Sequence, residues 1–263
     1  KDYQNINLKF SFKDSKILDS QRAFILDNEY QAKGTLVLNN DKSFKTKLKA
    51  KGDRLLHREN FSNMSYKVDI RGEERLFGLE EFSLQKPILR NYGWEMLIAK
   101  IASKEGLISP RIIPINLSIN GNQKGVYFIE ESFTSESLEF YSRKVGPIFS
   151  IDDEVELEFP YVIYEANGNS NLSLKETKLL NFAKSKLLDL KRNYKKKDFN
   201  LNLYFDLAQW ASFFSLIDFF STYHGAIPRN VKLYYNPSTQ LFEPIVYDNH
   251  MGGTNYTNFS FID

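Results

Sequence analysis

The sequence predicts an α+β fold in two lobes, a strand-rich first half and a mainly helical second half. Three observations predict it. Aromatic residues reach 15%, with 22 Phe and 15 Tyr, which favours sheet packing over a pure helix bundle. Apolar and polar residues alternate through the first third, the period of a half-buried strand. Beyond Glu131 the period changes to that of helices separated by loops.

Residues 6–12 alternate, and residues 35–38 and 44–48 do the same around the turn Asn39-Asn40-Asp41, which is the grammar of a hairpin. Residues 65–70 form a further strand that turns at Arg71-Gly72, and residues 81–84 form another, stopped by Lys86-Pro87. Over residues 90–103 the spacing of Trp94, Leu97, Ile98 and Ile101 is helical, with Gly106 just past the end as a cap. Residues 112–119 and 125–129 make a hairpin over Asn120-Gly121, the strongest short turn signal in the chain. Helices are expected at 134–141, 172–190 and 205–220, the last so apolar that burial is expected. A final hairpin pairs 231–235 with 242–247. The domain boundary falls near Glu130, giving a strand-rich lobe over 1–131 and a helical lobe over 132–263, with a ligand cleft expected between them.

The chain of 263 residues is long enough to bury a sizeable core. Lys and Arg number 35 against 33 Asp and Glu, so the net charge of +2 gives no argument for nucleic acid. The dense run at 191–197 (KRNYKKK) reads as a solvated helix end. No apolar run is long enough to span a bilayer. There is no cysteine, which excludes disulfides and thiolate zinc sites and leaves the compartment open. The first residue is Lys1 rather than Met, which reads as a mature or trimmed chain without its targeting segment and fits a secreted or cell-surface protein.

The densest chemistry lies at 217–253, IDFFSTYHGAIPRNVKLYYNPSTQLFEPIVYDNHMGG. An apolar helix leads into a loop with His224 and Asn230, and the hairpin that follows delivers Asp248 beside Asn249, His250 and Gly252-Gly253. A loop His, a loop Asn and a strand-end Asp form the kind of layout that gathers a divalent metal and a phosphate. There is no GxxxxGK[ST] and no GxGxxG, so no glycine cradle for phosphate is present.

Four segments resemble the CotH kinase family, the spore-coat protein H type of atypical protein kinase. They are SYKVDIRGEERLFGLEEFSLQ, RNYGWEMLIAKIASKEGLISPR, INLSINGNQKGVYFIEE and RNVKLYYNPSTQLFEPIVYDNHMGG, in family order within residues 49–253. The resemblance implies a divergent bilobal protein-kinase-like fold that binds ATP and magnesium and phosphorylates Ser/Thr hydroxyls of proteins. It also implies roles. Lys67 and Glu95 resemble the lysine that touches the ATP phosphates and the helix glutamate that holds it, with Lys51 and Lys86 as competitors for the lysine. Glu130 and Glu131 resemble the hinge beside the adenine; a strand end facing water is the plain alternative. Asn230 and Asp248 resemble the magnesium ligands, with Asp248 also catalytic, and ordinary turn chemistry is the alternative for each. Arg90 reads as a turn cap, although it could reach phosphate.

The departure concerns the base. Kinase loops carry an Asp five residues before the Asn, and here that position is Gly225 with His224 beside it. Either His224 takes the aspartate's place, since a neutral imidazole can accept a hydroxyl proton, or phosphotransfer is lost and the chain is a pseudokinase that binds or scaffolds. A metal-dependent hydrolase built on His224, Asp248 and His250 is the third reading.

Overall fold

The computed structural model describes residues 3–23, 30–52, 64–152, 161–165, 173–227 and 230–249. The chain divides into two units, Lys1–Met96 with Arg111–Ser132, and Leu97–Pro110 with Phe133–Asp263.

In the first unit, strands β1 (Gln4–Phe10), β2 (Ala32–Leu38), β3 (Lys42–Lys51), β4 (Ser65–Ile70), β5 (Glu81–Gln85), β6 (Ile112–Ile119) and β7 (Asn122–Glu131) form a closed barrel in the order β1-β2-β3-β4-β5-β7-β6. Six neighbouring pairs are antiparallel, while β1 closes on β6 in parallel, with Ile6 opposite Leu117. Alternation puts Leu8, Leu36, Leu48, Val68 and Leu84 inside, each fully buried. The turns at Asn39-Asn40 and Asn120-Gly121 have positive φ at both central residues, the twist-matched hairpin geometry that Asn and Gly tolerate. Helix α1 (Phe12–Arg22) is capped by Ser11, whose hydroxyl accepts from the Asp14 N–H, and its Leu18 joins the barrel core. Alternation alone gave no sign of this helix.

The expected kinase-like fold, two lobes with a mainly helical second one, is overturned by this closed seven-stranded barrel with few helices. The physical reason is closure: the parallel β1–β6 pair satisfies the edges that an open strand-rich lobe would expose.

Helix α2 (Trp94–Lys104) starts four residues later than its spacing predicts. Asn91, Tyr92 and Gly93 all have positive φ and end a 3-10 segment at Pro87–Gly93, so helical geometry begins only at Trp94.

The second unit has its own four-stranded sheet in the order β11-β10-β8-β9, built from β8 (Ile148–Asp152), β9 (Tyr161–Glu165), β10 (Lys232–Asn236) and β11 (Leu241–Ile245). β8 and β9 occupy a stretch expected to be helices and loops. Pro244 is tolerated because β11 is an edge strand. Helix α3 (Ser135–Phe140) is short. Helix α4 (Leu174–Asn193) starts at a capping box formed by Ser173 and Glu176, and its Leu180, Ala183, Leu187 and Leu190 pack with Phe149, Leu233, Tyr235 and Phe242 of the sheet. The basic run begins in the last turn of α4, where Lys191 and Arg192 complement the helix dipole. Helix α5 (Leu207–Phe220) is not buried all round as expected: Phe213, Leu216 and Ile217 are buried, whereas Phe219 is 82% exposed.

Candidate functional site

Helix α5 ends because Ser221 turns left-handed, with φ 53°. The chain then enters a 3-10 turn over Tyr223–Ala226 that carries His224. The hairpin register, with Lys232 opposite Ile245, places Asn230 and Asp248 together at the open end of β10 and β11. There the side chains meet. His224 Nδ1 lies 3.0 Å from the Asp248 carbonyl oxygen and 3.3 Å from its carboxylate Oδ2. Asn230 Nδ2 donates to the His224 carbonyl at 2.8 Å and also lies 2.9 Å from Nδ1.

These contacts fix the tautomer by competition. Two oxygens require a proton on Nδ1, while one amide would require a lone pair there, and that amide already has the His224 carbonyl as its acceptor. We assign the proton to Nδ1 on this network, which leaves the Nε2 lone pair as the basic one. His224 and Asn230 are buried, whereas the Asp248 side chain is 22% exposed. Asp248 adopts φ 52°, a left-handed conformation that Asp accepts more readily than most residues.

The donor set suits a hard cation. Asn230 Oδ1 accepts no hydrogen bond among the described residues, and with the Asp248 carboxylate it offers oxygen ligands of the kind magnesium takes. No cluster of three or more acidic, His or Cys side chains occurs among the described residues, so phosphate oxygens and water would have to complete the coordination. His250, the third member of the hydrolase reading, lies outside the described residues, as do Gly252 and Gly253.

The first unit contains a second polar cluster, on the outer wall of its barrel. Arg90, only 5% exposed, donates through Nε to Glu130 and lies 3.3 Å from Glu95 Oε2. Lys51 donates to Ser83 Oγ at 2.7 Å and lies 3.8 Å from Glu130. Gln85, with its amide turned to suit its neighbours, accepts from Arg90 and Lys51, each at 3.0 Å, and donates to Ser65. Two cations and two carboxylates thus neutralise one another in a buried setting, held by an amide and two hydroxyls.

The expected Lys67–Glu95 pair is not formed. Lys67 points outward from β4 and pairs with Glu81 at 2.8 Å, while Glu95 sits with Arg90. Register explains it: Lys67 stands opposite Ser83, so Glu81 is its diagonal neighbour on β5. Glu130 and Glu131 do not face water as strand-end residues would. Both are buried, Glu130 with Arg90 and Glu131 with Arg111 at 2.5 Å. Sequence reading missed Arg90, taken for a turn cap, and Lys232, a buried lysine that donates to Ser150 Oγ and lies over the Tyr247 ring. A lysine inside the apolar run VKLYY was the available signal.

Comparison with protein families matches residues 42–260 to the family described as CotH kinase protein. Comparison with curated proteins finds no match. Among the described residues no helix is long and apolar enough to cross a membrane. With well over half its length matched, the chain belongs to the CotH kinase family, and its function is of a kinase-like kind.

Proposed function

We propose that the chain is a phosphotransferase that uses ATP and magnesium to phosphorylate serine and threonine hydroxyls of proteins. The observation that carries this reading is the grouping of His224, Asn230 and Asp248, which sets a basic imidazole nitrogen beside oxygen ligands for a cation. Asp248 and Asn230 would hold the magnesium, which when bound neutralises phosphate charge. Asp248 also orients the imidazole through Nδ1, as a triad carboxylate does for its histidine. His224 Nε2 then takes the proton of the acceptor hydroxyl as that oxygen bonds to the γ-phosphorus and ADP departs. Within the first unit, Lys51 is held more firmly than Lys67, because Glu130, Ser83 and Gln85 all meet its ammonium group. Glu95, Glu130 and Glu131 serve by holding the cations of that unit.

A second reading, a pseudokinase that binds or scaffolds without transfer, is favoured by one observation: residues 222–227 include no carboxylate, and Gly225 has no room for one. Incubation with γ-labelled ATP, magnesium and a Ser/Thr-rich protein separates the two. Transfer that disappears in Asp248→Ala supports the phosphotransferase. Magnesium-dependent ATP binding without transfer supports the pseudokinase.

A further inference from the structure

The outward side of β1 to β4 is crowded with lysines: Lys9 on β1, Lys33 on β2, Lys45, Lys47 and Lys49 on β3, and Lys67 on β4. The register sets Lys33 directly opposite Lys47 and Lys49 directly opposite Lys67. Lys9 and Lys45 flank Thr35 from either side. Like charges facing each other across a sheet cost stability. Few carboxylates offset them: Asp69 stands opposite Lys47, Glu81 pairs with Lys67, and Asp14 of α1 accepts from the backbone N–H of Lys33. Lys9, Lys45, Lys47 and Lys49 form no ion pair among the described residues.

Strand lysines often guard a sheet edge against aggregation. That explanation fails here, because β3 lies between β2 and β4 in a closed barrel and has no free edge. Among the described residues the repulsion therefore has no structural return.

We propose that this face docks an extended acidic segment of a protein partner. Alternate residues of β3 are about 6.7 Å apart, the same repeat as alternate side chains of an extended peptide, so a carboxylate at every second position meets a lysine. The outward positions of these four strands hold Asn, Ser, Thr, Val, Asp and Lys, with no aromatic ring on which the bases of a single-stranded nucleic acid could stack. They also hold no large apolar group to enter a membrane. The inference goes beyond phosphotransfer and is tested without nucleotide, so either reading can fail alone.

The test uses the full chain at low salt, with fluorescence anisotropy of a labelled alternating Glu-Ser peptide, its Gln-Ser counterpart, and a single-stranded oligonucleotide of equal charge. Binding of the Glu-Ser peptide alone is expected, and added salt weakens it. The combined variant Lys45→Gln, Lys47→Gln, Lys49→Gln is expected to weaken binding by about tenfold, while its melting temperature stays level or rises because repulsion is relieved. Lys49→Glu, which places a carboxylate opposite Lys67, is expected to melt no lower than wild type and to bind more weakly. Absence of peptide binding, equal affinity in the folded triple variant, or tighter binding of the oligonucleotide would each overturn the proposal.

Discussion

Asn249 fills the space beside Gly225 in which any side chain would have to sit. A Cβ at position 225 would collide with Asn249 Oδ1, and would lie 2.7 Å from Asn249 Cγ and 3.1 Å from the Tyr247 carbonyl oxygen. The position where a kinase loop would carry its aspartate is thus closed by packing, which leaves the neighbouring His224 as the candidate base. Gly225→Ala should destabilise the fold by about 1–3 kcal/mol, the usual cost of overpacking, and Gly225→Asp should neither fold better nor raise phosphotransfer. Asn249→Ala opens the space, and removes an amide oxygen that is buried without a hydrogen-bond partner among the described residues. The double variant Gly225→Ala, Asn249→Ala should recover most of the loss in urea unfolding; additive losses would show that the two residues do not compete for this space.

Turnover and binding should part company at His224. If its Nε2 accepts the hydroxyl proton, His224→Ala lowers the phosphotransfer rate by about 10²- to 10⁴-fold, the range for general-base catalysis, and leaves ATP affinity nearly unchanged. Asp248→Ala should instead abolish the magnesium dependence of ATP binding, because its partly exposed carboxylate would be the charged ligand of the pair. Rapid-quench kinetics with parallel calorimetry reads both effects. Unimpaired transfer in His224→Ala would remove it from the chemistry.

Arg90 holds the buried carboxylates Glu95 and Glu130 together, and its removal leaves both without their guanidinium. Arg90→Met should therefore cost about 3–5 kcal/mol of stability, as expected when one member of a buried ionic group is deleted. The triple variant Arg90→Met, Glu95→Gln, Glu130→Gln should recover a large part of that, since the one charge it leaves in the cluster, Lys51, is 26% exposed and keeps contact with water. Denaturant midpoints decide it; equal losses in the single and triple variants would mean that packing of the arginine stem, rather than charge, sets the cost.

That His224, Asn230 and Asp248 converge could be read from the sequence, because a loop, a short hairpin and its open end are all local features. Barrel closure could not. It depends on Ile6 lying beside Leu117, a parallel pairing that leaves no mark on the periodicity of either strand. Arg90 is hard to read for a related reason: a basic residue before a helix looks like a cap, and only the fold shows that Glu130, forty residues away, joins Glu95 around it. Lys67 was given Glu95 as partner on family resemblance, whereas strand register hands it to Glu81. The apolar composition of α5 suggested full burial, yet composition cannot say which side of a helix receives neighbours, and Phe219 stands in solvent.

The barrel interior should make the protein sensitive to alkali. Burial pushes Tyr127 up to about 12, and it raises Tyr66 as well, with Tyr127 adding to the effect on Tyr66. Tyr66 is fully buried and its hydroxyl has no hydrogen-bond partner among the described residues, so the neutral phenol is strongly favoured inside the barrel. An unfolded tyrosine loses its proton near pH 10. Between about pH 10 and 12 the unfolded chain therefore binds fewer protons than the folded one, and stability falls as pH rises through this window, having been fully present below it. A difference of two pH units corresponds to about 2–3 kcal/mol for Tyr127. Tyr127→Phe gives up only the 3.4 Å hydrogen bond to the Met64 carbonyl and removes the titrating group. Its urea stability should be slightly lower than wild type at pH 8 and should decline less steeply above pH 10. Parallel decline of the two proteins through that range would show that Tyr127 does not resist ionisation in the folded barrel.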